Sequence, residues 1–134
     1  TRFYYKQMDE MKKLMRKEYI ENLQESEFCL SVRGAGNFSI RFYEICCLGK
    51  IPVFINTDCW LPFDDLISYR NLFLWIEAGE FDYAGEKVNC LNRSLSDEEY
   101  QKRSLVIRNI WVNYFSLNGF FNHMGKYLQL SKTI

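Results

Sequence analysis

Between Phe28 and Phe63 the chain places two short apolar runs on either side of a Gly-rich turn and a helical segment. The runs are Phe28-Cys29-Leu30-Ser31-Val32 and Ile51-Pro52-Val53-Phe54-Ile55. Runs of this kind, apolar without alternation, are strands covered on both faces, and covered strands belong to parallel sheets. A helix between two such strands is a right-handed crossover. The spacing predicts that helix over Ile40 to Leu48, closed by Gly49 and entered through the turn Arg33-Gly34-Ala35-Gly36-Asn37-Phe38-Ser39. No other stretch of the chain restricts its fold class as strongly: an α/β domain with a small parallel sheet.

A crossover of this kind starts its helix above the C-terminal edge of the sheet. The first backbone N–H groups of a helix have no partner within it, and the helix dipole adds partial positive charge there. Gly34 and Gly36 let the backbone approach a ligand closely, with φ > 0 if the turn needs it. Ser39 is a good N-cap whose hydroxyl also suits a phosphate oxygen. Arg33 and Arg41 flank the turn, and their guanidiniums match phosphate geometry. Together these residues aim a helix start and two arginines at one place, which favours an anion. Glu44 lies about one and a half helical turns past Ser39, where a carboxylate suits ribose hydroxyls better than phosphates. Spacing alone leaves two readings open, because Gly-x-Gly after a strand also makes a tight turn that binds nothing.

Other residues carry weaker signals. Asp58 is either a donor contact or a turn residue after Asn56, and Trp60 either stacks on a sugar or base or anchors its loop. Asp64 and Asp65 fit the first turn of a helix started by Pro62 better than a metal site, since no third ligand is near in sequence. His123 is the only histidine. Its distance in sequence from the Gly-rich turn favours a solvent-facing or helix-end position over a catalytic pair. Tyr43 reads as packing.

The five cysteines form no Cys-x-x-Cys pair, so neither zinc nor a disulfide framework is expected, and buried free thiols of a reducing compartment fit best. The formal net charge is zero, which gives no broad basic field for nucleic acid or an acidic membrane. No apolar run approaches the roughly 20 residues of a membrane span. The chain opens on Thr1 rather than Met, which raises the expectation of a fragment.

The remaining segments read as follows. Residues 3–24 fit one amphipathic helix, with Tyr4, Met8, Met11, Met15, Tyr19 and Leu23 on a face that suits a core better than a partner groove. Leu61 to Tyr69 reads as a short helix and Asn71 to Ile76 as a third strand. Residues 77–93 read as irregular, with a short strand near Val88 to Leu91. Ser96-x-x-Glu99 is a capping box opening a helix to about Leu117, with Ile107, Ile110, Trp111, Tyr114 and Leu117 on one face. Asn118-Gly119 is expected to break it, and a last helix runs from Phe120 to about Leu130. Three or four strands are fewer than a full Rossmann domain has, so the chain reads as part of a larger protein.

The string Arg33-Gly34-x-Gly36-x-x-Ser39-x-Arg41-Phe42-x-Glu44, followed by Leu48-Gly49-x-Ile51-Pro52-Val53, Asp58 and Leu61-Pro62-Phe63, resembles the exostosin family of glycosyltransferases. The resemblance covers about residues 26–76 and falls in the family's C-terminal, sugar-nucleotide-binding half. Two departures are visible. Ser31-Val32 stands where the family often has Cys-Pro, and Gly49-Lys50 where it often has Gly-Cys. The resemblance implies the GT-B architecture of two facing Rossmann-like domains and an inverting transfer from a nucleoside diphosphate sugar, a UDP-sugar in the first instance, to a glycan acceptor. On that reading Arg33, Gly34, Gly36, Ser39, Arg41, Glu44 and Asp58 bind the donor. No catalytic base is assignable, and no metal or other cofactor is expected, since the arginines would meet the charge. The missing N-terminal domain becomes a partner in the same protein. The resemblance implies the Golgi lumen for a eukaryotic member, whereas the thiols fit a cytoplasmic bacterial or viral one better. The rival reading is a non-catalytic Rossmann-like interaction module.

Overall fold

The structure, a computed structural model, describes the backbone of residues 2–130 and the side chains of residues 8–125 and 128. Its elements are α1 (Arg2–Glu25), β1 (Phe28–Ser31), α2 (Ile40–Cys47), β2 (Ile51–Asn56), α3 (Tyr69–Leu72), β3 (Leu74–Glu77), a 3-10 turn (Ala78–Tyr83), α4 (Ala84–Ser94), α5 (Asp97–Ile110), a widened π turn (Trp111–Phe115) and α6 (Leu117–Leu130). The three strands form one parallel sheet in the order β1-β2-β3. Leu30 lies opposite Val53, and Asn56 lies opposite Glu77 at the C-terminal edge. This is the expected Rossmann-like α/β sheet, flanked by helices.

The side chains of β2 alternate between two cores. Phe54 joins Phe42 and Cys46 of α2, Tyr69 and Phe73 around α3, and Ile107 of α5 on one face. Val53 and Ile55 join Ile76 on the other face, where Val88 of α4 packs against them. Strand β2 is therefore buried from Ile51 to Ile55, as its unbroken apolar run requires. A smaller cluster of Leu23, Cys29 and Ile45 fixes the end of α1 to β1 and α2.

Gly49 is the glycine that its backbone demands. It has φ 68°, and an added Cβ would lie 3.0 Å from both the carbonyl oxygen and the hydroxyl of Ser104 on α5. The chain leaves α2 through this left-handed residue, and α5 closes over it.

Several expectations fail for identifiable reasons. No helix spans 61–69. Phe63 has φ 59°, which an α-helix cannot accommodate, and the segment folds as turns in which Leu66 and Ile67 N–H groups donate to the Phe63 carbonyl. The third strand starts at Leu74 because Tyr69–Leu72 coil into α3. The segment read as irregular with a strand near 88–91 is the 3-10 turn followed by α4. Its start is fixed by a reciprocal box between Glu77 and Glu80, and Gly79 and Gly85 sit in open surroundings. Helix α5 does open at the Ser96–Glu99 box, but it ends at Ile110, and the π turn follows. Ser116 then stops the helix and its hydroxyl accepts from Gly119 N–H, so Asn118-Gly119 lies in the first turn of α6 rather than between helices. The widened turn also moves Leu117 off the apolar face, leaving it 74% exposed.

The Met8, Met11 and Met15 stripe of α1 is exposed, and only the end of that face, at Leu23 and half-buried Tyr19, meets the core. The side chain of Tyr4 lies outside those described. His123 is neither solvent-facing nor at a helix end, since it stacks on Tyr114 at 4.3 Å within α6 and meets the Phe63 ring edge at 5.5 Å. All five cysteines are free, with Cys29 and Cys46 buried, Cys47 and Cys59 half-buried and Cys90 exposed.

Gly49→Ala is expected to destabilise the fold by at least about 1–2 kcal/mol, the cost of a left-handed non-glycine residue, with the Ser104 contact adding to it. Gly79→Ala, where an added Cβ meets nothing within 4 Å, is the control. Urea unfolding of the two variants against the parent chain measures both; equal midpoints for Gly49→Ala and the parent would contradict this account of the turn.

Candidate functional site

The Gly-rich turn rises from β1 and closes on itself, with Gly34 N–H donating to the Phe38 carbonyl at 2.9 Å. Neither Gly34 nor Gly36 uses a left-handed φ, and a Cβ on Gly34 would meet only the Phe38 carbonyl at an ordinary 3.5 Å, so crowding bears on Gly36 alone. A Cβ on Gly36 would stand 2.9 Å from the Phe38 ring. Ser39 has the extended conformation of an N-cap, φ −131° and ψ 118°, yet its hydroxyl makes no capping bond. The expected cap is thus one of backbone shape only. The hydroxyl and the first-turn N–H groups do not satisfy each other.

Beside this turn runs the loop after β2. Asn37 joins the two, because its Nδ2 donates to the Asp58 carbonyl at 2.9 Å and its Oδ1 accepts from Thr57 Oγ1 at 3.2 Å. Asp58 has φ 55°, and its N–H donates to Asn56 Oδ1 at 3.1 Å. That is the turn geometry expected of an Asx residue two positions earlier. The Asp58 carboxyl is exposed beside the Gly-rich turn. Trp60 is 91% exposed, so it does not anchor its loop, and its ring stands free next to Arg33, Ser39 and Cys59 around a shallow hollow. Tyr43 packs edge-on against Phe42 and Phe115, as a packing residue should.

The polar edge continues to β3. Asn56 Nδ2 donates to Glu77 at 2.6 Å, Trp75 Nε1 donates to it at 3.0 Å, and Arg70 donates to it at 2.9 Å while stacking on Trp75. The hydrogen bond from Asn56, reinforced by Arg70, holds the Glu77 carboxyl below its ordinary range. Asn37, Asn56 and Glu77 were not singled out from the sequence. The signal that finds them is their position: Asn56 and Glu77 end adjacent parallel strands in register, so both must reach the edge where the Gly-rich turn lies.

Arg41 and Glu44 stand on the α1 side of α2. The Arg41 guanidinium lies 5.2 Å from the centre of the Tyr19 ring, and its Nε is buried without a hydrogen-bond partner. Glu44 accepts a short hydrogen bond from the Tyr19 hydroxyl and pairs with Arg16 at 3.7 Å. Burial first, and the Glu44 hydrogen bond second, push the Tyr19 hydroxyl up to about 12. Arg41 and Glu44 line an open groove of 510 Å³ with residues of α1, whereas Arg33 and Ser39 line the hollow by Trp60. The two arginines therefore flank the first turn of α2 from separate depressions instead of meeting at one point. Ser39 to Glu44 spans about 7.5 Å along the helix axis. Among the described residues no cluster of three or more His, Cys, Asp or Glu side chains has the arrangement of a metal site. Nor is any helix among them long and apolar enough to cross a membrane.

Comparison with known proteins points to one family. The family model described as the exostosin GT47 domain matches residues 1–86, a span holding all three strands, the Gly-rich turn and the groove. Similar proteins include Exostosin-1 of Drosophila melanogaster, 33% identical over 100 residues, which are 75% of this chain and 13% of that protein. A probable arabinosyltransferase of Arabidopsis thaliana, ARAD1, is 26% identical over 106 residues, 78% of this chain and 24% of that protein. A probable glucuronosyltransferase, 47 A, of Physcomitrium patens is 30% identical over 91 residues, 68% of this chain and 19% of that protein. The chain thus spans at most 24% of the length of these relatives.

The Tyr19–Glu44 pair has a spectroscopic test. A hydroxyl pushed up to about 12 stays protonated in the folded chain above the pH at which an ordinary tyrosine ionises. Its contribution to stability is present below the unfolded value near 10 and is lost as pH rises through about 12. The difference between ultraviolet titrations of the parent and Tyr19→Phe should show one phenol ionising near 12, provided the chain is still folded there. A difference curve centred near 10 would show that the contact does not hold in solution.

Proposed function

This chain belongs to the exostosin GT47 family, and from that premise we propose that it is the donor-binding part of a glycosyltransferase of glycan synthesis. The donor in this reading is a nucleoside diphosphate sugar, with a UDP-sugar the first to test. The single observation that carries the reading is the start of α2. It is a helix N-terminus at the C-terminal edge of a parallel sheet, with an uncommitted Ser39 hydroxyl and an arginine on each side.

The chemistry follows from those groups. The diphosphate lies across the N–H groups from Gly36 to Ser39, where the helix dipole and oriented donors favour negative charge. Arg33 meets it from the side of Trp60, and Arg41 from the side of α1. These are the interactions that gain most as the leaving nucleotide acquires charge, so they lower the barrier as well as bind. The guanidiniums supply positive charge that a metal would otherwise bring. Glu44, held by Tyr19 and Arg16, faces the ribose, and the exposed carboxyl of Asp58 is a further donor contact. The base that activates the acceptor hydroxyl comes from another part of the protein, the facing domain of a GT-B enzyme, and transfer is inverting. Since the three relatives described above come from a flowering plant, a moss and a fly, the Golgi lumen is the favoured compartment over a bacterial or viral cytoplasm.

A second reading has its own observation. Met8, Met11 and Met15 form an exposed apolar stripe on α1, which suits a non-catalytic interaction module. Nucleotide binding separates the two readings. Calorimetry should show UDP binding to the purified chain, weakened in both Arg33→Ala and Arg41→Ala by about 1.5–3 kcal/mol, the value of a hydrogen bond to a charged group. Absence of UDP binding by the folded chain would favour the module. The chain alone should bind donor without transferring sugar, because transfer needs the acceptor held in the cleft between domains. Saturable turnover by the isolated chain, abolished in Arg41→Ala, would place the whole active site here.

A further inference from the structure

We propose that α1 forms the second wall of the nucleotide site, so that the groove between α1 and the start of α2 receives the nucleoside end of the donor. The inference rests on the donor-binding reading above and extends it to residues outside the Gly-rich motif.

The groove has a volume of 510 Å³, within the range of about 300–1,000 Å³ usual for small-molecule sites. Its walls carry Lys12 and Arg16 from α1 and Arg41 from α2, against the single carboxylate of Glu44. That leaves two positive charges unmatched among its lining residues, which suits a groove whose nucleoside is tethered to a diphosphate at the start of α2. Arg41 brings a buried Nε donor with no partner in the protein, and a buried donor left unpaired is costly. The exposed apolar side chains of Met15 and Ile40 line the same groove and offer a nucleobase a surface to lie against.

Tyr19 organises the polar wall. Its hydroxyl donates to Glu44 Oε2, and its ring has Arg16 at 5.5 Å and Arg41 at 5.2 Å. One aromatic residue of α1 thus sets the direction of a carboxylate and of a guanidinium on α2. One Glu44 oxygen accepts from Tyr19 and the other lies 3.7 Å from the exposed Arg16 guanidinium, so the carboxylate is tethered through a single hydrogen bond. A carboxylate held in this way accepts hydrogen bonds from the two vicinal hydroxyls of a ribose. Tyr19 is a positioning residue in this scheme, and Arg16 fixes Glu44 from the other side.

The test uses the purified chain with three probes: UDP, 2′-deoxy-UDP and pyrophosphate. Tyr19→Phe removes the hydroxyl and keeps the ring, so thermal melting should show it folded. Arg16→Gln removes the second support, and Arg41→Ala reports on the diphosphate contact. The expected result is that Tyr19→Phe and Arg16→Gln each weaken UDP at least fivefold, narrow the preference for UDP over 2′-deoxy-UDP, and leave pyrophosphate within twofold of the parent. If UDP binds through Arg41 but is insensitive to both α1 substitutions, the α1 wall is overturned while the donor-binding reading stands. If Tyr19→Phe weakens UDP and pyrophosphate equally, Tyr19 only supports α2, and the nucleoside assignment falls. If the parent chain binds neither UDP nor pyrophosphate, the donor-binding reading fails and takes the α1 wall with it.

Discussion

The direction in which α2 points depends on the packing of one ring. Phe42 is 1% exposed and meets Phe54 of β2 at 5.7 Å, Phe73 at 5.5 Å, Tyr69 at 6.2 Å and Phe115 of the π turn at 5.8 Å. Edge-to-face and tilted pairs of this kind are each worth about 0.5–1.5 kcal/mol beyond the burial of area. Because their partners come from the sheet, α3 and the C-terminal half of the chain, they restrain rotation of α2 about its own axis. Arg41 precedes this ring and Glu44 follows it by two. With Phe42 buried, the helical geometry leaves Arg41 and Glu44, three apart, on the side facing α1. The chemistry of the groove is thus a consequence of where an aromatic residue is buried.

The second constraint is electrostatic and runs along the C-terminal edge of the sheet. Asn37 couples the Gly-rich turn to the loop after β2, and Asn56 couples that loop to Glu77. Asn37 thereby meets the Asp58 carbonyl and the Thr57 hydroxyl, and Asn56 meets the Asp58 N–H and the Glu77 carboxylate. Arg70 is drawn to Glu77 and Trp75, away from Arg33 and Arg41. The edge therefore has an acidic end at β3, compensated internally, and a basic end at α2 whose charge is only partly matched.

Much of this was legible in the chain itself. The apolar runs at Phe28 and Ile51, with Gly49 between helix and strand, marked a parallel pair, although only β2 is covered on both faces and Leu30 of β1 is left exposed, and the Ser96–Glu99 box marked the start of α5. What escaped sequence reasoning did so for two reasons. Local conformation hid some elements. The left-handed φ of Phe63 prevented a helix that Pro62 and two aspartates advertised, and Gly79 and Gly85 disguised a helical segment as a loop. Distance in sequence hid the rest. The Tyr19–Glu44 bond crosses 25 positions, and nothing near Arg41 foretold that its guanidinium would turn toward α1 and away from Arg33. Two arginines bracketing a turn by number are not brought together by a helix that begins between them.

The far end of α2 carries a consequence of its own. Arg108 of α5 donates to the Cys47 carbonyl, its Nη1 lies 3.1 Å from the Cys47 sulfur, and Gly49 fits beneath Ser104. The eight residues of α2 make a rod about 12 Å long. It pivots at Phe42 near its front and is clamped by α5 at its rear, which makes it mechanically a short lever. The arm from Phe42 forward to Ile40 is about 3 Å and the arm back to Cys47 about 7.5 Å, so a shift of the clamp moves the front the opposite way by less than half as much. The clamp belongs to α5, outside the residues 1–86 that match the family model. A change in α5 at Arg108 or Ser104 can therefore reach the start of α2 without altering any residue of the Gly-rich turn itself.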